Sequence, residues 1–249
     1  MFKLFMSLLV PLLLITVFGC ASQEKIDTNT ADGLFSLAKK FEKDERFEEA
    51  ITNYTEVKNK FPYSRYAIDS ELRIADIEFQ RENFVESENA YKLFKEFHPN
   101  FAQIPYVTYQ IGLSIYNQLP KSIDRDLTLA KEAIEQFELV ISAYPNSEFI
   151  KKSVEYRDLT KKMLAEKTFY IADFYFKRSR WLSALGRYED LLHTQLAPEM
   201  NTKAIYKAAL SSYRIKDMDK AKMYFKKLLT EYPNSSELAL ARKEMADGF

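Results

Sequence analysis

Apolar residues recur in this chain at spacings that only paired helices produce. The first run is Leu34, Leu37, Ala38 and Phe41, then Ala50, Tyr54 and Val57, closed by Pro62. Steps of three and four residues place each group on one face of a helix. Asp44-Glu45-Arg46 is a polar reversal between the two helices, and Pro62 stops the second. Ala38 and Ala50 are small where two antiparallel helices must approach closely. A helix pair of this size cannot bury its apolar face alone, so the pattern must recur.

It does. In a second unit, from about Asp69 to Pro99, Ala75 stands for Ala38, Ser87 for Ala50, Tyr91 for Tyr54 and Phe94 for Val57. A third has Tyr109, Gly112 and Ile115, then Ala133, Phe137, Val140 and Pro145, split by a polar segment from Leu119 to Asp126. Pro120 and Asp124-Arg125-Asp126 make that segment a surface loop, with Asp126 the expected N-cap of the next helix. Residues 148–180 hold neither Pro nor Gly and read as one long helix, which also opens a fourth unit continuing through Trp181, Ala184, Tyr188 and Leu191. The fifth runs Ile205, Ala209, Tyr213, Ala221, Phe225, Leu228 and Pro233, and Glu237 to Met245 forms a short capping helix. Five such units resemble tetratricopeptide repeats (TPRs). The expected fold is all-α, a TPR solenoid curving into a superhelix and stabilised by burial between neighbouring units.

Composition narrows the function. Charge cancels at 36 basic and 36 acidic residues, so no basic field exists to hold nucleic acid. The 47% hydrophobic content is ample for a core, and only 5 glycines argue against a turn-rich β fold. The two histidines, His98 and His193, are in no ligand-like spacing with Cys, Asp or Glu, and His98, before Pro99, reads as a surface turn residue. No phosphate-binding Gly-rich loop or nucleophile elbow occurs. The expectation is a protein without catalytic site, metal or cofactor.

Residues 1–19 read as a signal peptide: Lys3 precedes an apolar run from Leu4 to Phe18 that is too short to span a membrane. Val17-Phe18-Gly19-Cys20 resembles a bacterial lipoprotein cleavage site, which implies that Cys20, the only cysteine, carries the lipid anchor. Several acyl chains anchor stably where one does not. Residues 20–30 form the lipidated N-terminus and a polar tether, and Ala21 resembles the signal for sorting to the outer membrane. The rest divides into N-terminal units one to three at 31–146, and the long helix with units four, five and the cap at 147–249.

The first helix of each TPR unit lines a concave groove. Repeat register puts Phe35, Lys39 and Lys43 there from unit one. Unit two adds Leu72, Asp76 and Phe79, and unit three adds Tyr106, Tyr109, Leu113, Tyr116 and Asn117. Such an aromatic band is expected to bind an extended peptide, and Lys39 and Lys43 suit its carboxylate.

Several stretches go beyond a generic repeat. They are Asp124-Arg125-Asp126 followed by Ala130, Phe137 and Tyr144-Pro145-Asn146-Ser147, then Ala172 to Arg178, then Trp181, Ala184 and Arg187. With the lipidated Cys and the long helix, the chain resembles the BamD family of outer-membrane protein assembly lipoproteins over nearly its whole mature length. The resemblance implies a periplasmic adaptor, lipid-anchored to the outer membrane. Its implied partners are the POTRA domains of a BamA-like β-barrel insertase, other lipoproteins of the assembly complex, and unfolded outer-membrane proteins. It further implies that the C-terminal units hold the insertase, with Arg187 at the interface, and that the N-terminal units hold the precursor. The alternative is another periplasmic TPR scaffold lipoprotein, pilotin-like or associated with cell division.

Overall fold

The computed structural model describes residues 26–194 and 197–246, so the expected signal peptide and the Cys20 anchor lie outside the described residues. Eleven α-helices follow in chain order among the described residues: α1 (Ala31–Lys43), α2 (Phe47–Lys60), α3 (Arg65–Gln80), α4 (Phe84–Phe97), α5 (Ile104–Gln118), α6 (Ala130–Ala143), α7 (Ile150–Lys177), α8 (Trp181–Thr194), α9 (Asn201–Arg214), α10 (Met218–Glu231) and α11 (Ser236–Glu244). A 3-10 turn, Pro198–Met200, precedes α9. Each helix from α1 to α10 packs on the next, and α11 closes the array against α9 and α10. This is the expected repeat array.

The small residues set its register. Ala38, Ala75, Ala172 and Ala209 on the first helices, and Ala50, Ser87, Ala133, Ala184 and Ala221 on the second, are all fully buried. The remaining first-helix position is Gly112, where a Cβ would lie 2.8 Å from the Phe137 ring. The helix axes approach closely there because side-chain volume is absent. Tyr54, Tyr91, Phe137 and Tyr188 then fill the same buried position of units one to four. Unit five differs: Phe225, expected there, is half-buried, and its neighbour Tyr224 is buried instead.

Helix α7 is the strut between two cores. Near its start, Phe149 and Tyr156 pack against the core of α3 to α6. Further along, Ala165, Phe169, Ala172, Tyr175 and Phe176 belong to the core of α8 to α11. Its 28 residues span roughly 42 Å at the α-helical rise.

Three local features differ from expectation. The end of the supposed tether is folded: Thr30 caps α1 by accepting from the Gly33 N–H at 3.1 Å, and Asp27 carbonyl comes so close that a Cβ on Gly33 would lie 2.0 Å from it. Asp126 does not cap α6. Its carboxylate accepts from Thr128 N–H at 3.1 Å and Thr128 Oγ1 at 2.7 Å, and the N-cap position falls to Leu129. Burial of Leu127 draws the chain into a turn, closed by Ala130 N–H on Leu127 carbonyl, before the helix starts. His98 is half-buried rather than a plain surface residue. Its ring lies 4.8 Å from that of Phe94, and its Nε2 is 2.8 Å from a Glu71 oxygen.

Four of the five intra-repeat reversals share one backbone device. Glu45, Glu82, Ser179 and Lys216 all have φ between 56° and 65°. In each the following N–H reaches back to the carbonyl five residues earlier, as Arg46 does to Phe41 and Asp217 to Ser212. These are Schellman ends with no glycine at the left-handed position, where an L side chain is strained. Lys216→Gly is therefore expected to stabilise the protein by about 1 kcal/mol, while Lys216→Val destabilises it; chemical denaturation midpoints measure both.

Candidate functional site

A large cleft lies across units one to three. Its volume is about 1180 Å³ and its walls come from four places. Helix α1 contributes Phe35 and Lys39, one turn apart; α3 contributes Asp69, Leu72, Arg73 and Asp76, one helical face; the start of α5 contributes Pro105 and Tyr106; and the turn from Tyr144 to Phe149 leads into α7.

A polar network forms its floor. Tyr54 donates its hydroxyl proton to Glu42 at 2.7 Å, and the Arg73 guanidinium donates to both oxygens of the same carboxylate. Arg73 also reaches Asp76 at 3.2 Å. Asp76 accepts in addition from Tyr91 and Tyr106, each at 2.7 Å, and Gln110 donates to the Tyr106 oxygen at 2.9 Å. One arginine thus ties α1 to α3, and one aspartate ties α3 to α4 and α5. Glu42 and Asp76 are both buried, and burying a charge costs heavily unless it is paired. Burial still pushes the Asp76 carboxyl above its usual range, against the opposing pull of the two tyrosines and Arg73. Neither acid is free to bind a ligand. Lys39 makes no ion pair among the described residues and is the available cation of the cleft.

The residues expected in one strip divide between surface and core. Phe35, Lys39, Leu72 and Tyr106 line the cleft together. Lys43 lines a smaller adjoining recess of about 420 Å³, shared with Lys39, Lys40, Arg73 and Gln80. Phe79 is half-buried with its ring 5.4 Å from Phe84. Tyr109 is only 5% exposed, stacked at 5.3 Å on Phe149 and flanked by Phe137 and Tyr156. Tyr116 is half-buried, 5.1 Å from Tyr156. The continuous aromatic band is therefore corrected: the start of α7 covers its unit-three end and takes Tyr109 into the core. Arg73 and the Tyr144–Phe149 turn are site residues that repeat register alone did not mark. On α8, Arg187 is exposed and lies 3.5 Å from Asp190.

Similar Tyr–carboxylate–cation contacts recur in the C-terminal half. Tyr188 donates to Asp173 at 2.6 Å, and Lys207, at the repeat position of Arg73, pairs with the same carboxylate. Tyr224 and Lys220 share Glu189. Burial, joined for most of these tyrosines by a neighbouring carboxylate, raises the phenols: Tyr106 and Tyr109 are pushed up to about 12, and Tyr54, Tyr91, Tyr188 and Tyr224 higher still. A folded-state value above the unfolded one, about 10 for tyrosine, contributes stability below that pH and loses it as pH rises through the folded value. Alkaline titration should show these tyrosines ionising only as helix is lost, above about pH 10. Tyrosinate absorbance and far-ultraviolet circular dichroism recorded together check this.

Comparison with known proteins adds a second line. The family described as "Outer membrane lipoprotein" (YfiO) matches residues 27–195, and a tetratricopeptide repeat family matches residues 203–235. Outer membrane protein assembly factor BamD of Rickettsia prowazekii is 27% identical over 224 residues, covering 87% of each chain. That of Xylella fastidiosa (strain 9a5c) is 27% identical over 201 residues, covering 75% of this chain and 68% of the relative. Among solved structures, the TPR2AB domain of yeast Sti1 aligns with a TM-score of 0.46 at 18% identity, covering 89% of this chain and 86% of the other.

Proposed function

Since the chain belongs to the YfiO family of outer membrane lipoproteins, we propose that it is an adaptor in the assembly of outer-membrane β-barrel proteins. Its lipid sits on Cys20 and holds it at the periplasmic face of the outer membrane. Units one to three receive the unfolded precursor, and the C-terminal units dock on the POTRA domains of the insertase. The assembly role is the one named for the BamD relatives. The observation that carries the precursor site is the cleft itself: an aromatic wall of Phe35 and Tyr106, backed by the nearly buried Leu72, beside one unpaired cation, Lys39.

That chemistry suits an extended peptide with aromatic side chains and a free C-terminal carboxylate. The rings take apolar anchors, which dominate interface energy. Lys39, with Lys43 in the adjoining recess, offers charge-assisted hydrogen bonds to the carboxylate. Phe35→Ala with Tyr106→Ala should weaken binding of a labelled β-barrel C-terminal peptide at least tenfold, roughly 1.4 kcal/mol. Lys39→Ala with Lys43→Ala should cost less, shrink as salt rises, and cost nothing with an amidated peptide. Fluorescence anisotropy measures all of these; unchanged affinity in the aromatic double variant removes the cleft as the receptor.

Arg187 projects from the exposed face of α8 and is proposed to meet an acidic group of the insertase. Arg187→Glu should weaken binding to isolated POTRA domains while leaving helix content unchanged, because an interfacial cation becomes a repulsive anion. Calorimetric titration with wild-type affinity would remove this residue from the interface.

A further inference from the structure

Two pieces of chain that no repeat requires meet on the long helix. The unit-three loop crosses α7, where Lys167 donates to the Arg125 carbonyl, and it carries Ile123 over the aromatic face of the helix. The 3-10 turn before α9 brings Met200 to the other side. Between them is a cleft of about 440 Å³, floored by Phe169, Tyr170 and Phe174. This is within the size range of clefts that bind small ligands. It is separate from the cleft of units one to three and shares no lining residue with it.

Its surfaces are poorly suited to water alone. Tyr170 is 49% exposed and Phe174 42% exposed. The Arg178 guanidinium stacks 3.7 Å from the centre of the Phe174 ring, which holds its N–H fork in place. Lys177 and Arg178 have no carboxylate partner among the described residues. The one aspartate of the cleft, Asp173, is already taken by Tyr188 and Lys207. Glu166 lies three turns away along α7, at the opposite end. The cleft therefore offers an apolar seat with an uncompensated cationic rim at the C-terminal end of α7.

We propose that this cleft is a second docking site, which takes a short segment of a partner protein carrying an aromatic side chain next to one or more carboxylates. The aromatic residue enters between Ile123 and Met200 onto the ring floor. The carboxylate meets Arg178 and Lys177, where a planar, pre-stacked guanidinium matches its two oxygens. The insertion in unit three thereby has a role in building a wall, and the site is independent of precursor binding in units one to three.

Selection of a displayed random dodecapeptide library on the full chain, with counter-selection on Phe174→Ala, tests this. Phe174 and Arg178 are exposed, so the circular dichroism of their variants should match wild type. The peptides lost on Phe174→Ala should share an aromatic residue within a few positions of Asp or Glu. Synthesised singly, they should bind Arg178→Glu at least tenfold more weakly, and bind Phe35→Ala with Tyr106→Ala as tightly as wild type. The proposal is overturned if no peptide distinguishes Phe174→Ala, if the peptides recovered are basic, or if the Phe35 and Tyr106 changes abolish their binding.

Discussion

The close approach of helices at ten small positions is the constraint on which this molecule depends. Nine Ala or Ser residues and Gly112 let paired helices pack with almost no side chain between them. Every larger residue is placed relative to those crossings: Tyr54, Tyr91, Phe137 and Tyr188 follow four residues after the small residue of each second helix and are fully buried. No unit closes its own core, so the array is stable only as neighbours stack, and α7 carries that stacking from one half to the other.

Polar groups are folded into the same scheme. Tyrosine hydroxyls at the buried second-helix position need acceptors, and carboxylates from first helices supply them. Those carboxylates need cations: Glu42 and Asp173 take theirs from the next unit, Arg73 and Lys207, and Asp76 shares Arg73 on its own helix. The consequence for function is spatial. The network is satisfied beneath the large cleft, so Phe35, Lys39 and Tyr106 are displayed on a floor that has little reason to move.

The repeat register was legible because small residues and aromatics recur at fixed offsets, and burial follows such periodicity directly. The fate of individual aromatics was not. Tyr106 and Tyr109 are three residues apart on one helix and carry equivalent signals. Only the placement of α7, through Phe149 and Tyr156, sends one to the cleft and the other to the core. Tyr224 and Phe225 are adjacent, and it is Tyr224 that is buried, with its hydroxyl donating to Glu189. The left-handed turns were hidden because Glu, Ser and Lys occupy positions that glycine would have advertised. Arg73 looks in sequence like a surface arginine, and its role depends on a glutamate 31 residues earlier.

Amide hydrogen exchange with and without a β-barrel C-terminal peptide tests most directly whether the first three units form the receptor. The account predicts added protection in α1, α3, the start of α5 and the turn at 144–149, with α9 and α10 unchanged. Protection confined to α8 through α11, with none around Phe35 and Tyr106, would contradict it.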